Sequence, residues 1–559
     1  MVQTVLEQVF LMCGGLMLLM FGMNFMGANL QKAAGGKIKK WLNKVTNNRI
    51  AGVGIGMGVT ALIQSSAATT VMLVGFVNIG MLTMAQAATV IMGANIGTTI
   101  TAQIVALESV NLFDVTAIFS LLAGVGFLCS LVAKKKMVRV VGRIFMGLGM
   151  IFLGLEFMSA SVKVLIDKVP SITKVFSAVK NPILLLLIGI VFTALIQSSS
   201  TVTSIVIVLA GTTSAMDVPV LGLVQAMYIT LGSNIGTCIT AMLSAMGTDV
   251  NARRTAVIHL LFNVIGCCIV LIPLLIWENE IAKAMVSLSG KNIQRQIANF
   301  HTIFNVVVTL CLLPFTNGLV FLATKIVRDK KGGTTATGEN RLQYLDPLIL
   351  ETPMVAVGQV KSEIIHMAGL AFKNYERAVN TLVESEDDVA EEFNKTEEEI
   401  NFLNREISSY LVKIIASDIN TQDKKTLSTY YRVISDIERI GDYAENLMEY
   451  GDRMREENLQ FSDNAKKEIM QVFEDSRALY LDVMYTFETR SLDRMPAIIE
   501  IEDRVDGAKE RMGDAHIDRL NQGLCTPVTG AMYLSTANNM ERIADHMVNV
   551  ANSVARNNA

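Results

Sequence analysis

The sequence predicts an all-α protein in two parts: a polytopic helical membrane domain built from two repeats, then a separate cytoplasmic bundle of amphipathic helices. Three observations carry this reading. The chain of 559 residues is too long for one core, since single cores stop growing at roughly 250–300 residues. Its charge is segregated: residues 1–331 hold 24 Lys+Arg and 10 Asp+Glu (net +14), whereas 332–559 hold 24 and 41 (net −17). No charged residue falls between Arg49 and Glu108, nor anywhere in 181–216, and a spanning helix needs roughly 20 apolar residues. Residues 1–331 are therefore excluded as a soluble enzyme.

The expected spans run at 5–28, 67–82, 84–106, 113–133, 140–158, 183–210, 219–246, 255–276 and 299–323, some of them hairpins rather than full crossings. The first has no basic n-region before it and is too long for a signal-peptide core, so no cleavable signal is expected. Six of the seven cysteines lie in apolar segments and Cys525 stands alone, which supports neither disulfides nor a zinc site. Three basic segments are placed in the cytoplasm by the positive-inside bias: Lys32, Lys37, Lys39, Lys40, Lys44 and Arg49; Lys134, Lys135, Lys136, Arg139 and Arg143; Lys325, Arg328, Lys330 and Lys331. The last leads into a glycine–threonine linker at 332–347, so the domain beyond it, 348–559, is expected on the same side.

The membrane part is duplicated. Thr60-Ala-Leu-Ile-Gln-Ser-Ser66 recurs unchanged as Thr193-Ala-Leu-Ile-Gln-Ser-Ser199. Gly93-Ala-Asn-Ile-Gly-Thr-Thr-Ile-Thr-Ala102 recurs as Gly232-Ser-Asn-Ile-Gly-Thr-Cys-Ile-Thr-Ala241, and Gly22-Met-Asn-Phe-Met26 echoes Gly154-Leu-Glu-Phe-Met158. Three blocks in one order at nearly one offset give repeat one at 1–133, repeat two at 138–276 and an extra span at 299–323. Such repeats in transporters are commonly inverted, with substrate at their interface.

A glutamine buried in lipid without partners costs on the order of 2–7 kcal/mol, so finding Gln-Ser-Ser at matching places in both repeats points to a site rather than to helix packing. Neutral oxygens of hydroxyls, amides and unwound carbonyls suit a small hard cation; N–H and O–H donors at helix N-termini suit an oxyanion. The glycine run Gly52-Val-Gly-Ile-Gly-Met-Gly58 is expected to break or loosen the helix before the first motif. In the downstream blocks Asn95 and Asn234 bring amides, Thr98 and Thr237 hydroxyls, and Gly97 and Gly236 close backbone approach. No acid is shared between the repeats, which favours sodium coupling over a carboxylate proton relay. Glu156 is a candidate by its position inside a span, but its repeat partner is Asn24.

These doubled motifs resemble the type II sodium–phosphate cotransporter family, including its bacterial members, over residues 5–325. The resemblance implies re-entrant hairpins, a bacterial plasma (inner) membrane location, and binding of inorganic phosphate and sodium at Gln64, Ser65, Ser66, Thr70, Gln197, Ser198, Ser199, Ser200, Thr201 and Thr203, with Asn95, Thr98, Asn234 and Thr237 beside them. Ala67 stands where Ser200 stands in the second copy, so the second motif is the richer ligand set. His259-Leu-Leu-Phe-Asn263 and His301-Thr-Ile-Phe-Asn305 each place His and Asn on one helix face, either as a polar clasp between helices or as a substrate contact.

From about residue 348 the chain reads as six amphipathic helices near 354–384, 386–416, 422–455, 462–490, 493–520 and 527–555. Asp436-Ile-Glu-Arg-Ile-Gly-Asp442 and Asn539-Met-Glu-Arg-Ile-Ala-Asp545 mark a second duplication of three helices each. This block resembles the PhoU family, which implies two three-helix bundles and a divalent or iron metal on Asp436, Glu438, Asp442, Glu541 and Asp545. Taken together, the sequence reads as a non-enzymatic sodium-coupled phosphate transporter with a cytoplasmic regulatory domain, its partners being phosphate, sodium and membrane lipid, with no nucleic acid. Self-association is left open. A non-transporting phosphate sensor and a symporter or channel for another small anion are the competing readings.

Overall fold

The computed structural model describes residues 2–34, 41, 48–107, 115–169, 179–213, 219–246, 248–328, 342–351, 353–384, 389–417, 419 and 421–558. Lys37, Lys39, Lys40, Lys44, Lys330, Lys331 and the linker up to residue 341 lie outside the described residues. The chain divides into two compact units, one of 1–333 with 347–352, the other of 334–346 with 353–559. Among the described residues both are helical, with one isolated bridge between Thr213 and Pro219.

The first unit contains α1 (Val2–Ala34), α2 (Arg49–Ile63), α3 (Ser66–Asn78), α4 (Met84–Ala106), α5 (Val115–Val132) and α6 (Lys136–Lys168), then α7 (Pro182–Ile196), α8 (Ser199–Gly211), α9 (Leu223–Ser244), α10 (Val250–Ile276), α11 (Glu278–Ser289), α12 (Ile293–Leu312) and α13 (Thr316–Ile326). Seven helical stretches among the described residues are long and apolar enough to cross a membrane, one of them formed by α12 and α13 around a short 3₁₀ turn. The face of α5 is almost bare of protein cover, with Leu121, Leu128, Leu131 and Val132 exposed, as lipid contact requires. This is a multi-pass membrane protein.

The repeats are inverted, and two glycine contacts show it. The equivalent helices α1 and α6 pack on each other so that a Cβ on Gly15 would lie 2.8 Å from the Gly154 carbonyl oxygen and one on Gly22 would lie 2.8 Å from that of Gly147. Rising numbers on α1 meet falling numbers on α6, so equivalent helices run antiparallel.

Three segments differ from the sequence reading, the first being the expected span 67–82, where the structure has the 13-residue half-helix α3. The expected span 183–210 is two half-helices, α7 and α8, of 15 and 13 residues. At 1.5 Å per residue each reaches only about 20 Å, short of the roughly 30 Å hydrocarbon core; α2 and α3 form the matching hairpin in repeat one. The glycine run 52–58 breaks nothing and lies inside α2. Gly52 and Gly56 serve packing instead: a Cβ on Gly52 would sit 2.0 Å from Thr89 Oγ1 and one on Gly56 2.0 Å from the Val90 carbonyl oxygen, both of α4.

The second unit contains α14 (Pro353–Glu384), α15 (Ala390–Ala416), α16 (Thr421–Glu456), α17 (Asp463–Thr489), α18 (Met495–Asn521) and α19 (Pro527–Asn558). Each pairs an apolar stripe with a charged face, and the buried stripes (Ile400, Leu403, Ile407 on α15; Ile469, Phe473, Leu479 on α17) form the bundle cores.

Candidate functional site

Each Gln-Ser-Ser motif is the hinge of one hairpin. Gln64 ends α2 in the left-handed region (φ 60°, ψ 22°) and Gln197 ends α7 likewise (φ 58°, ψ 25°). The following serine is extended and caps the next half-helix: Ser65 Oγ accepts from Ala68 N at 3.1 Å, Ser198 Oγ from Thr201 N at 3.2 Å. Both hairpins also begin alike, with Asn48 and Asn181 as N-caps of α2 and α7. Left-handed backbone costs a non-glycine residue roughly 1–2 kcal/mol, and glycine would serve the turn without that cost. Glutamine at both hinges keeps an amide there.

Residues of the two hairpins line one cavity of about 200 Å³. It gathers Gln64, Ser65, Ser66, Gln197, Ser198, Ser199, Ser200, Thr201 and Thr237, together with Met20, Met23 and Asn24 of α1. No charged side chain is among its lining residues. The N-termini of α3 and α8 open here with first-turn N–H groups that have no intrahelical acceptor and the positive ends of their dipoles, a setting for an anion. The C-termini of α2 and α7 end at the same hinges, where carbonyl oxygens and the negative dipole end favour a cation.

The copies are not equivalent. Gln64 is held at both ends of its amide, Nε2 donating to Ala61 O at 2.6 Å and Oε1 accepting from Thr101 Oγ1 at 3.0 Å. Gln197 is exposed to the cavity, and Thr201 Oγ1 donates to Ser198 Oγ at 2.8 Å.

Thr70 and Thr203 lie behind the cavity, fully buried, and the hydroxyl of each has no hydrogen-bond partner. The two unsatisfied hydroxyls stand at repeat-equivalent places, and Thr193 Oγ1 is a third. The downstream blocks are further from the cavity, except for Thr237. Asn95 Nδ2 bonds Ile91 O at 3.0 Å and Thr98 Oγ1 bonds Ala94 O at 3.0 Å, both within α4. Their glycines do the packing: a Cβ on Gly93 would meet Val53 O at 2.0 Å, one on Gly232 would meet Leu186 O at 2.0 Å. Asn234 belongs to a clasp, its Nδ2 donating to Asn305 Oδ1 at 2.8 Å and its Oδ1 lying 3.3 Å from His301 Nε2. Glu156 is exposed, whereas its repeat partner Asn24 lines the cavity.

Sequence reasoning missed Thr101, Met20 and Met23. Thr101 stands one helical turn past Thr98 in the duplicated block, a signal that was present; the two methionines carry none that separates them from the rest of an apolar helix.

In the second unit the proposed metal ligands fall into separate groups. Glu541 and Asp545 meet Asp506, an acid the sequence reading did not include, with one oxygen of each within 4.8 Å of the others. Glu541 is paired with Lys509 at 3.2 Å, and Asp545 with Arg542 at 3.4 Å. Burial first, then Glu541 and Asp506, raises the Asp545 carboxyl above its ordinary range. Glu438 and Asp442 stand near Glu397, whose carboxyl is pushed up to about 7 by burial and then by Glu445, Asp442 and Glu438. Asp436 is 3.0 Å from His546 Nδ1.

Paired half-helix hairpins meeting at an uncharged polar cavity, on inverted repeats, define a membrane transporter of the secondary class. The chain belongs to the Na+/Pi-cotransporter family, which matches residues 18–160 and 167–290, and it carries a PhoU domain matching 364–451 and 469–554. It is 34% identical to YqeW of Bacillus subtilis over 53% of this chain and 91% of that one, and 26% identical to YjbB of Escherichia coli K12, named for inorganic phosphate export, over 96% and 95%. A stretch of 19% of the chain is 39% identical to sodium-dependent phosphate transport protein 2A of Rattus norvegicus, covering 17% of that protein. The crystal structure of PhoU from Pseudomonas aeruginosa aligns with 36% of this chain and 97% of its own at 20% identity and a TM-score of 0.35.

Proposed function

We propose that the cavity between the hinges binds inorganic phosphate together with sodium and carries both across the membrane, the protein having no enzymatic role. The single observation that carries this is the convergence of two serine-capped half-helix N-termini on an uncharged cavity. Phosphate would sit among Ser65, Ser66, Ser198, Ser199, Ser200 and the free amide of Gln197, on donors and dipole ends. Sodium would be held by neutral oxygens, with the unpartnered hydroxyls of Thr70 and Thr203 as its ligands. Because no fixed cation faces the anion, phosphate binds well only after sodium has entered, and by linkage phosphate strengthens sodium binding by the same factor. The inverted repeats supply alternating access by one rocking against the other. An inward sodium gradient drives phosphate in. Export, the activity named for the Escherichia relatives, needs a phosphate gradient large enough to reverse the coupled flux.

The test is uptake of labelled phosphate into proteoliposomes. A sodium gradient is required for it, and Ser198→Ala or Ser199→Ala impairs it far more than serine substitutions elsewhere; sodium-independent flux, or full activity in both variants, contradicts the proposal. Competition by sulfate and dicarboxylates weaker than that by arsenate identifies the anion as a protonated, phosphate-like tetrahedral oxyanion.

For the cytoplasmic domain, Asp506, Glu541 and Asp545 have the oxygen-only donor chemistry that a hard divalent cation or iron needs. Such a metal would neutralise a cluster whose members raise one another's proton affinity. Calorimetric titration with divalent metal, abolished in Glu541→Gln, checks this.

A further inference from the structure

We propose that one end of the PhoU-like domain is a docking surface for anionic phospholipid headgroups, seating the domain on a bilayer face. At this end α14, α16 and α18 start and α15, α17 and α19 finish. Hydrogen bonds tie the ends together. The Tyr430 hydroxyl of α16 accepts from Arg490 Nη2, just past α17, at 3.3 Å, and Thr426 Oγ1 of α16 accepts from Asn557 Nδ2 of α19 at 3.4 Å. Lys361 Nζ of α14 donates to the Glu488 carbonyl oxygen of α17.

Charge sets this end apart from the rest of an acidic domain. Its described segments, 353–361, 408–417, 421–432, 483–499 and 552–558, hold eight Lys+Arg and three Asp+Glu. The segments of the opposite end, 376–384, 390–399, 449–457, 463–468 and 510–535, hold eight and sixteen. Lys413, Lys424, Lys425 and Arg432 are exposed and, among the described residues, enter no ion pair. Further along the bundle Arg377, Arg453, Arg477, Arg504 and Arg519 are each bonded to a carboxylate. Apolar groups stand among the free cations. Residues 424, 425, 428, 431 and 432 share one side of α16, which puts Tyr431, 56% exposed, beside three cations; on α15, Val412 and Ile415, 61% and 41% exposed, flank Lys413. Cations interleaved with aliphatic and tyrosine side chains fit a membrane interface, the charges meeting phosphate headgroups and the apolar groups entering the acyl boundary.

The tether favours lipid over a soluble polyanion. Glu363 of α14 accepts from the backbone N–H groups of Gln343, Tyr344 and Leu345 at 3.1, 2.6 and 3.1 Å, and the Tyr410 hydroxyl of α15 donates to Asp346 O at 2.8 Å. The chain is thus pinned at this end up to residue 346, and residues 347–352 already belong to the membrane unit. A surface so close in the chain to a membrane-embedded unit meets headgroups at high effective concentration. The basic segment Lys134 to Arg143 of the membrane unit cannot be the counterpart, because its charge has the same sign. Leu520, Leu524 and Val528 at the opposite end are exposed too, but the excess of acid there is repelled by anionic lipid.

Tyr431 is a built-in reporter. Full-length protein is placed in nanodiscs of phosphatidylcholine, alone or mixed with phosphatidylglycerol, and hydroxyl-radical oxidation of Tyr431 and Leu524 is quantified by mass spectrometry. In the anionic discs Tyr431 is oxidised several-fold more slowly while Leu524 keeps its rate, and added salt removes the protection. Each cation near an anionic surface is worth about fivefold in binding, so Lys424→Gln with Lys425→Gln weakens seating about 30-fold and returns Tyr431 to its rate in neutral discs. An unchanged Leu524 rate in that variant shows that the fold is intact. Equal Tyr431 rates in the two discs overturn the proposal, and equal protection in both assigns the face to a protein contact instead. Protection of Leu524 in place of Tyr431 overturns the choice of end, and full protection in the double variant overturns the role of the cations. The readout does not involve transport, so it stands whether or not the membrane cavity carries phosphate.

Discussion

Replacing Gln197 by glycine separates the amide from the turn that presents it. The hinge has φ 58° and ψ 25°, a conformation that costs glutamine roughly 1–2 kcal/mol and glycine almost nothing. The hairpin therefore folds at least as well in the variant. What disappears is one donor to a charged ligand, worth about 1.5–3 kcal/mol. At 1.4 kcal/mol per tenfold, that corresponds to a rise of about 10- to 150-fold in the phosphate KM. The assay is sodium-driven phosphate uptake into proteoliposomes, with thermal unfolding in detergent run beside it. Gln64→Gly gives a smaller rise, because the Gln64 amide is already engaged by Ala61 and Thr101. A Gln197→Gly protein with wild-type KM, or equal losses in the two variants, refutes the reasoning that only the second amide is free for phosphate.

Thr101→Val frees Gln64 Oε1 and moves the first hinge toward the state of the second; sodium-driven uptake falls several-fold while thermal stability drops by about 1 kcal/mol, the value of a buried hydrogen bond. Thr70→Val and Thr203→Val raise the sodium concentration needed for half-maximal uptake and leave the phosphate KM at saturating sodium unchanged, which a sodium titration reads directly. Gly232→Ala drives a methyl into the Leu186 carbonyl and destabilises the membrane unit by about 1–3 kcal/mol, seen as a lower Tm in detergent. Glu397→Gln changes how stability depends on pH in chelator-treated protein. The Glu397 carboxyl is raised to about 7 when folded, from a usual value near 4.5, so its contribution is full below pH 4.5 and is lost as pH rises through 7. The variant matches wild type at pH 4 and exceeds it by up to about 3 kcal/mol above pH 8; parallel pH profiles contradict this.

The duplicated motifs pointed to a candidate site before any geometry was known, and the structure gathers Gln64, Ser65, Ser66, Gln197, Ser198 and Ser199 around one cavity. The six cytoplasmic helices were equally legible, since apolar stripes at helical period leave little choice of boundary. Other features were hidden for physical reasons. Residues 183–210 read as one span because hydropathy does not register a hinge made by glutamine in the left-handed region. The glycines at 52–58 read as a break because their packing role exists only opposite α4, at Val90 and Thr89. Asn24 stood in a repeated block, but its pairing with Glu156 drew attention to the charged member, which faces away from the cavity. Asp506 lies on α18, with no echo in the sequence of the acids on α19 that it meets, so only folding brings the three together.

The central claim is that phosphate sits between the two hinges. Arsenate in place of phosphate, with sodium present, locates it by anomalous scattering in a crystal of the full chain. The predicted result is one arsenic peak within hydrogen-bonding reach of Ser65, Ser66, Ser198 and Ser199. An ordered peak elsewhere in the membrane unit, with the space between the hinges holding only water, contradicts the account.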